Sequence, residues 1–195
     1  MAKGNGGVFE RDSSCLVVID VQAYFLGKLP LHERRPLVER IAWLMRVARA
    51  LGIPIVATAE DIARNGTLVP ELVAELPTGA PIFDKLIFGL DRQDDIRAAA
   101  LATGRDTFVL TGMETDVCVA HSALGLKARG FRPVVIDDAS ASPPPHHEHG
   151  LRRVRDAGIA VTSAKGIYYE WVRDLVTHHR IKSLTNEPLP AGLTL

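Results

Sequence analysis

The sequence predicts an α/β protein of three layers, in which helices cover both faces of a mostly parallel, Rossmann-like sheet of six strands. Short apolar runs rich in β-branched residues alternate along the chain with stretches that repeat apolar residues at helical spacing. Strands that alternate with helices form parallel sheets, and the helices then cover both faces of the sheet. At 195 residues the chain is long enough for one such domain with a substantial core.

The first predicted strand is CLVVID at residues 15–20, an apolar run typical of a strand buried on both faces. A long connection at residues 60–81 leads to the third strand. Because it exceeds an ordinary turn, we expect it to carry function or subunit contacts. The five later strands are predicted at residues 53–59, 82–88, 107–112, 132–137 and 159–163.

The clearest predicted helix covers residues 36–51, where apolar residues recur at helical spacing from Leu37 to Leu51. Pro36 stands near its predicted start and Gly52 just beyond its end, which is the usual placement of these two residues. Four further helices are predicted at residues 94–103, 117–129, 147–157 and 168–178.

One domain at residues 14–182 accounts for this pattern, because no linker or internal repeat divides it. We expect residues 1–13, which include the GNGG stretch, to be a flexible leader. Residues 183–195 contain Pro and Gly, and they form either an arm that packs on a neighbouring subunit or a frayed end.

Composition excludes several classes of partner. Lys plus Arg and Asp plus Glu number 23 each, so no excess charge attracts nucleic acid or an anionic membrane, and we expect a small-molecule partner. No apolar run approaches the roughly 20 residues that span a bilayer, and no signal peptide is evident. Two cysteines, Cys15 and Cys118, make no disulfide framework. A cytoplasmic location is therefore expected.

Three reactive side chains are predicted at one edge of the sheet. Asp20 closes the first strand, Lys85 lies in or just after the third, and Cys118 follows the fourth. Because ligands of open parallel sheets bind outside the carboxyl ends of the strands, these residues face one crevice. Each alone would more often be an ordinary surface or core residue, so their joint placement carries the prediction.

These three residue types are the ones that a nucleophilic cysteine needs. We expect a low thiol pKa at Cys118, because the start of a helix capped by Thr115 or Asp116 and the charge of Lys85 both favour a thiolate. Asp20 would accept the thiol proton and return it to a leaving amine. Free backbone N–H groups around residues 114–118 would stabilise an oxyanion.

The sequence resembles the isochorismatase-like cysteine hydrolases, a superfamily that includes nicotinamidases and N-carbamoylsarcosine amidase. The motifs that match are VVIDVQAYF (17–25), VPEL (69–72), FDKLIFG (83–89), TGMETDVCVAHSALGLKARGF (111–131) and VVIDDASAS (134–142). The resemblance covers about residues 14–180. It implies an Asp, Lys, Cys triad and a thioester intermediate, and it also implies a homo-oligomer, a dimer or larger.

The resemblance implies a non-proline cis peptide between Met113 and Glu114, with the amides of Glu114 and Cys118 as oxyanion donors. Nicotinamidases resemble one another in an Asp-x-His metal motif after the second strand. This chain reads TAEDIARNGT there, so we expect neither metal nor cofactor. Cys118 argues against true isochorismatase activity, which needs no cysteine nucleophile.

Several other residues have competing interpretations. Gln22, Phe25 and Phe88 flank the predicted catalytic positions and are candidate pocket walls. His121 lies one turn after Cys118, so a Cys-His pair is a rival arrangement, although no residue to orient the imidazole is evident.

Histidines also cluster after three prolines, at positions 146, 147 and 149. Their spacing does not match that of known zinc ligands, and we interpret them as the solvated start of a helix. Cys15 is expected to pack as a small apolar residue.

The sequence therefore predicts a metal-independent hydrolase that cleaves a carbon-nitrogen bond of an amide or ureido-type small molecule. The alternative is a binding or scaffold protein that keeps the hydrolase fold. A dinucleotide-dependent oxidoreductase is disfavoured because GNGG precedes the first strand and is no dinucleotide fingerprint.

Overall fold

Six parallel strands form one sheet, in which the first strand, β1, lies third from one edge. The computed structural model describes residues 7–185 and 189–195. Its sheet has the order β3-β2-β1-β4-β5-β6, and every neighbouring pair is parallel. This confirms the predicted α/β class. The strands are β1 (Ser14–Ile19), β2 (Ile55–Glu60), β3 (Ile82–Lys85), β4 (Thr107–Met113), β5 (Arg132–Ala141) and β6 (Ala160–Thr162).

Helices follow the strands and pack on both faces of the sheet. They are α1 (Ala23–Leu26), α2 (Leu31–Leu51), α3 (Ile62–Asn65), α4 (Pro70–Val73), α5 (Asp94–Ala102), α6 (Ala120–Ala128), α7 (His146–Asp156), α8 (Ala164–Val172) and α9 (Leu175–Leu184). A π-helical turn at Thr115–Val119 precedes α6, and 3-10 turns lie at Arg11–Ser13 and Leu90–Arg92.

Side chains of β1 alternate between two hydrophobic clusters, as the pleat of a strand requires. Leu16 and Val18 belong to the cluster completed by α2, α8 and α9. Val17 and Ile19 belong to the cluster completed by α5, α6 and α7. All of β1 is buried, which explains why its sequence is apolar from Cys15 to Ile19.

The carboxyl ends of four strands meet at one edge of the sheet. Asp20 follows β1 directly, Glu60 ends β2 and Lys85 ends β3. The π-helical turn that carries Cys118 follows β4 by one residue. Parallel pairing therefore brings these side chains together, although 98 positions separate Asp20 from Cys118 along the chain.

Helix α2 starts earlier than the sequence predicts. It begins at Leu31, so that Pro36 lies inside the helix, and it ends at Gly52 in the left-handed conformation as predicted. The N–H groups of the first four residues have no partner within a helix, but Pro36 is the sixth residue of α2, so its missing N–H removes one backbone hydrogen bond.

The predicted helix at residues 168–178 is wrong as a single element. Helix α8 ends at Val172, and Arg173 adopts a positive φ of 66°. Asp174 then caps α9, because its side chain accepts a hydrogen bond from the Thr177 amide. The apolar spacing continues across the break, which is why periodicity alone misses it.

The long connection at residues 60–81 contains the short helices α3 and α4. Of the predicted leader, residues 1–6 lie outside the described part, and Phe9 is buried in the core. Of the predicted tail, residues 186–188 lie outside it, and Leu193 is buried.

Among the described helices, none combines the length and apolar character that crossing a membrane requires.

We expect Gly112→Ala to destabilise the protein by more than about 3 kcal/mol. Gly112 has φ 113°, and a Cβ there would overlap the carbonyl oxygen of Ile19 in the neighbouring strand. The matched control is Gly130→Ala, which has φ 86° but open space around the new Cβ, so that it should lose only about 1 to 2 kcal/mol. Urea denaturation measures both, and equal losses would contradict the steric argument.

Candidate active site

Cys118 lies in the π-helical turn with only 3% of its surface exposed. Its Sγ is 3.4 Å from Nζ of Lys85. The thiol also donates a hydrogen bond of 3.3 Å to Oε2 of Glu60. The sulfur is therefore in contact with one cation and one carboxylate.

Lys85 and Asp20 form an ion pair of 2.9 Å between Nζ and Oδ2, and neither side chain is exposed. Thr58 donates a hydrogen bond of 2.8 Å to the other carboxylate oxygen of Asp20. Nζ of Lys85 lies 3.4 Å from the carbonyl oxygen of Ile87, to which it donates. The structure therefore brings together all three residues of the predicted triad, with Lys85 between the other two.

Glu60 is a member of this cluster that the sequence analysis missed. Its Oε2 lies 3.6 Å from Nζ of Lys85, and 22% of its side chain is exposed. The sequence pattern predicts residue 60 in the connection after the second strand, whereas it ends β2. The rule that selected Asp20, an acidic residue at the carboxyl end of a central strand, would also have selected Glu60.

Gln22 holds Glu60 in place. Its Oε1 accepts a hydrogen bond of 2.7 Å from the Glu60 amide, and its Nε2 donates one of 2.9 Å to the Glu60 carbonyl. Nε2 also donates to the carbonyl of Gly66, and Gln22 is fully buried. The amide thus joins the end of β2 to the following loop.

The two aromatic residues predicted as pocket walls have different surroundings. Phe25 is buried in the core, with Nζ of Lys28 4.5 Å from its ring centre. Phe88 is 53% exposed and lies beside His121, with 6.2 Å between their ring centres. His121 is itself exposed, and the contacts of Sγ are with Lys85 and Glu60.

The turn that carries the thiol is supported by neighbouring side chains. Glu114, and neither Thr115 nor Asp116, is its N-cap, which corrects the sequence-based expectation. The side chains of both residues make tertiary contacts instead. Thr115 Oγ1 pairs with Nδ1 of His147 at 2.9 Å, and Asp116 accepts a hydrogen bond of 2.7 Å from Ser142.

The histidine cluster is part of this support. His147 is half-buried against the turn, whereas positions 146 and 149 are exposed. Burial lowers the pKa of His147, so that it favours the neutral form in which its ring can bond the Thr115 hydroxyl. His147 therefore packs against the turn through its bond to Thr115. This corrects the prediction that all three histidines are solvated.

Helix α7 approaches the turn closely at Gly150. A Cβ at this position would lie 2.6 Å from the Asp116 amide nitrogen, so only glycine allows this packing distance. The Met113–Glu114 peptide bond that leads into the turn is cis.

The pKa of the Cys118 thiol is raised, not lowered, in this environment. Burial is the largest cause, and the carboxylate of Asp20 is the next. Lys85 lowers the pKa of the thiol, but Glu60 opposes it. The expectation of a preformed thiolate is therefore wrong for the free protein, because two carboxylates and a dry environment outweigh one ammonium.

The same contacts change the pKa of Asp20 and Lys85. Burial raises the pKa of Asp20, while the charge of Lys85 and its hydrogen bonds act against that rise. Burial alone would lower the pKa of Lys85, but Asp20 and the other anionic groups raise it overall. Lys85 is therefore cationic, and Asp20 has a carboxylate whose affinity for a proton is greater than usual.

Ligand atoms of Asp20, Glu60 and Cys118 lie within 4.8 Å of one another, a spacing that would suit a metal ion. Nζ of Lys85 is in contact with all three groups, at 2.9, 3.6 and 3.4 Å. A metal ion would have to displace this buried ammonium. A metal ion would therefore compete with a cation that the chain itself provides.

Comparison with known proteins gives one family. The family model of the isochorismatase domain matches residues 14–166. Isochorismatase domain-containing protein 2A of Mus musculus is 28% identical over 195 residues, which cover 97% of this chain and 90% of the mouse protein. YcaC of Escherichia coli strain K12 is 28% identical over 167 residues, or 85% of this chain and 80% of YcaC.

Solved structures have the same fold. A structure of the E. coli YcaC gene product, described as an octameric hydrolase of unknown specificity, has a TM-score of 0.79 at 24% identity and covers 91% of this chain and 90% of its own. YcaC from Pseudomonas aeruginosa, with hexane-2,5-diol and covalent acrylamide, has a TM-score of 0.82 at 24% identity over 91% of this chain and 89% of its own. The chain therefore belongs to the isochorismatase family of hydrolases.

Proposed function

We propose that the protein hydrolyses a carbon-nitrogen bond of a small amide or ureido-type compound, with Cys118 as nucleophile. The observation that carries this proposal is the contact of one buried ammonium, Lys85, with both the Asp20 carboxylate and the Cys118 sulfur. A thiol, a carboxylate and a cation in mutual contact are the groups that covalent catalysis by cysteine needs.

In the first step Asp20 accepts the thiol proton as Sγ attacks the carbonyl carbon. A carboxylate oxygen of Asp20 lies within 4.8 Å of Sγ, and the raised pKa of Asp20 favours its protonated state after transfer. Lys85 stabilises the sulfur while it becomes anionic. We propose that the amides of Glu114 and Cys118 donate to the oxyanion of the tetrahedral intermediate.

In the second step the carbon-nitrogen bond breaks, and Asp20 returns its proton to the leaving nitrogen. A thioester between Sγ and the acyl group remains. Water then adds to the thioester carbon with Asp20 as base, and the carbon-sulfur bond breaks to release an acid and restore the thiol. The sum of the steps is one amide and one water converted to one acid and one amine.

This chemistry needs neither metal nor cofactor, because Lys85 supplies the positive charge next to the sulfur. We propose that the protein's partner is a small-molecule substrate, and that it binds neither nucleic acid nor a membrane. We also propose a homo-oligomer, by analogy with the octameric YcaC of E. coli, and a cytoplasmic location, where reducing conditions keep the thiol free.

The competing proposal is a binding or scaffold protein that retains the fold. The near-complete burial and raised pKa of Cys118 favour it, because an inert thiol has these properties. The two proposals differ in turnover, which only the hydrolase has.

Cys118→Ala should lower turnover at least about a thousandfold with the fold intact, because no other group replaces the nucleophile. The measurement is release of ammonia or amine from a panel of primary amides and ureido compounds, with circular dichroism to check folding. Cys15→Ala is the control, since it removes the other thiol, which is buried near the amino-terminal end of β1, whereas the site lies at the carboxyl end of that strand. Turnover that survives in Cys118→Ala would exclude the mechanism.

Alkylation of Cys118 by iodoacetamide should still be accelerating when the pH passes 9.0, the ordinary pKa of a thiol, because that of Cys118 is raised. Lys85→Met should react more slowly at each pH, since the positive charge of Lys85 lowers the pKa of the thiol. Mass spectrometry of the Cys118 peptide gives the rates. A plateau near neutral pH would show that the thiolate is already formed in the free protein.

A further inference from the structure

We propose that Glu60 is a specificity-determining residue of the Cys118 site. Its carboxylate accepts a hydrogen bond from an N–H of the substrate next to the scissile carbonyl, and it excludes substrates that have a carboxylate there. The inference rests on the proposed function and narrows it to neutral or cationic ureido, carbamoyl and primary amide compounds.

Glu60 is the charged group of this cluster that reaches solvent. Its side chain is 22% exposed, whereas the side chains of Asp20 and Lys85 are completely buried. Its Oε2 is 3.3 Å from Sγ of Cys118. A carbonyl carbon at an attack distance of about 3 to 3.5 Å from the sulfur is therefore no more than about 7 Å from this carboxylate oxygen, within reach of an N–H next to the carbonyl.

The charges at the site sum to an excess of one negative charge. Asp20 and Glu60 each contribute a carboxylate, and Lys85 is the single ammonium in contact with both. Asp20 is the closer partner of Lys85, at 2.9 Å against 3.6 Å for Glu60. Glu60 therefore leaves an uncompensated charge at the entrance to the sulfur, and this charge repels anions.

Lys28, a cation on the segment that follows β1, does not offset this charge, because it pairs with Glu114 at 3.0 Å. That pair is neutral as a whole. The excess negative charge next to Cys118 is thus a local property of Glu60.

Loss of the thiol proton creates the need for a new hydrogen-bond donor. In the free protein the Cys118 thiol donates to Glu60. Once the thiol gives its proton to Asp20, the Glu60 carboxylate loses that donor and faces an anionic sulfur. An unpaired buried or half-buried carboxylate is costly, so a substrate N–H in this position stabilises the reacting complex.

The backbone of Glu60 keeps its carboxylate in this position. Gln22 bonds both the amide and the carbonyl of Glu60, and Asn65 donates a further hydrogen bond of 3.1 Å to that carbonyl. These bonds fix the backbone from which the side chain extends, and the carboxylate itself is held by its contacts with Lys85 and Cys118. A polar group held in this way can discriminate between substrates.

The test compares alkylation of Cys118 by iodoacetamide, which is neutral, and by iodoacetate, which is anionic and nearly the same size. In the wild type, Cys118 should react much more slowly with iodoacetate than with iodoacetamide. Glu60→Gln, which keeps the shape, should raise the ratio of the iodoacetate rate to the iodoacetamide rate about fivefold, the effect of one charge roughly 4 Å away in water. Both absolute rates should also rise, because Glu60 raises the pKa of the thiol.

Asp61→Asn is the matched control. It removes the same charge one residue further along the chain, and asparagine tolerates the positive φ of 46° at this position. The control should leave the ratio within about twofold of wild type, since charge effects fall with distance and are screened by salt. Equal effects of Glu60→Gln and Asp61→Asn would attribute selectivity to overall charge and overturn the proposal.

Two further outcomes would also overturn it. An unchanged ratio in Glu60→Gln would show that the carboxylate does not meet the incoming group. A large fall in both rates would show that Glu60 is the base for the thiol and not a specificity residue. Alkylation requires no turnover, so failure of the hydrolase proposal, seen as no activity of wild type on any amide or ureido compound, is distinguished from failure of this inference.

Discussion

The buried ion pair between Lys85 and Asp20 is the interaction on which the rest of the site depends. Two charges with no exposed surface persist only if each is paired and hydrogen-bonded, because removing a charge from water is expensive. Thr58 satisfies one oxygen of Asp20, and the carbonyl of Ile87 accepts from Lys85. The pair therefore requires the ends of β1, β2 and β3 to stay in register.

The same pair explains why the thiol is protonated in the free protein. An ammonium alone would favour a thiolate, but this ammonium already interacts with two carboxylates. Asp20 and Glu60 raise the pKa of Cys118 together with burial. A buried thiol with a raised pKa is less reactive than an exposed one, because the thiolate is the nucleophilic form.

The turn that carries Cys118 is supported by neighbouring side chains. Contacts of Thr115 with His147 and of Asp116 with Ser142 join it to α7 and to the residue that follows β5. Gly150 brings α7 close to the same backbone. Reactive groups need a rigid support because catalysis requires their positions to be accurate to a fraction of an ångström. Here the support comes from residues that touch neither the sulfur nor the ion pair.

The sequence by itself determined that strands alternate with helices in a parallel sheet, and with it the meeting of Asp20, Lys85 and Cys118 at one edge. Uninterrupted apolar runs identify buried parallel strands, and their carboxyl ends share an edge by geometry. Only the tertiary structure decided the direction in which the pKa of the Cys118 thiol is shifted and the contact of Glu60 with that thiol. Both depend on distances of a few ångströms and on burial, which arise when residues far apart in the chain pack together.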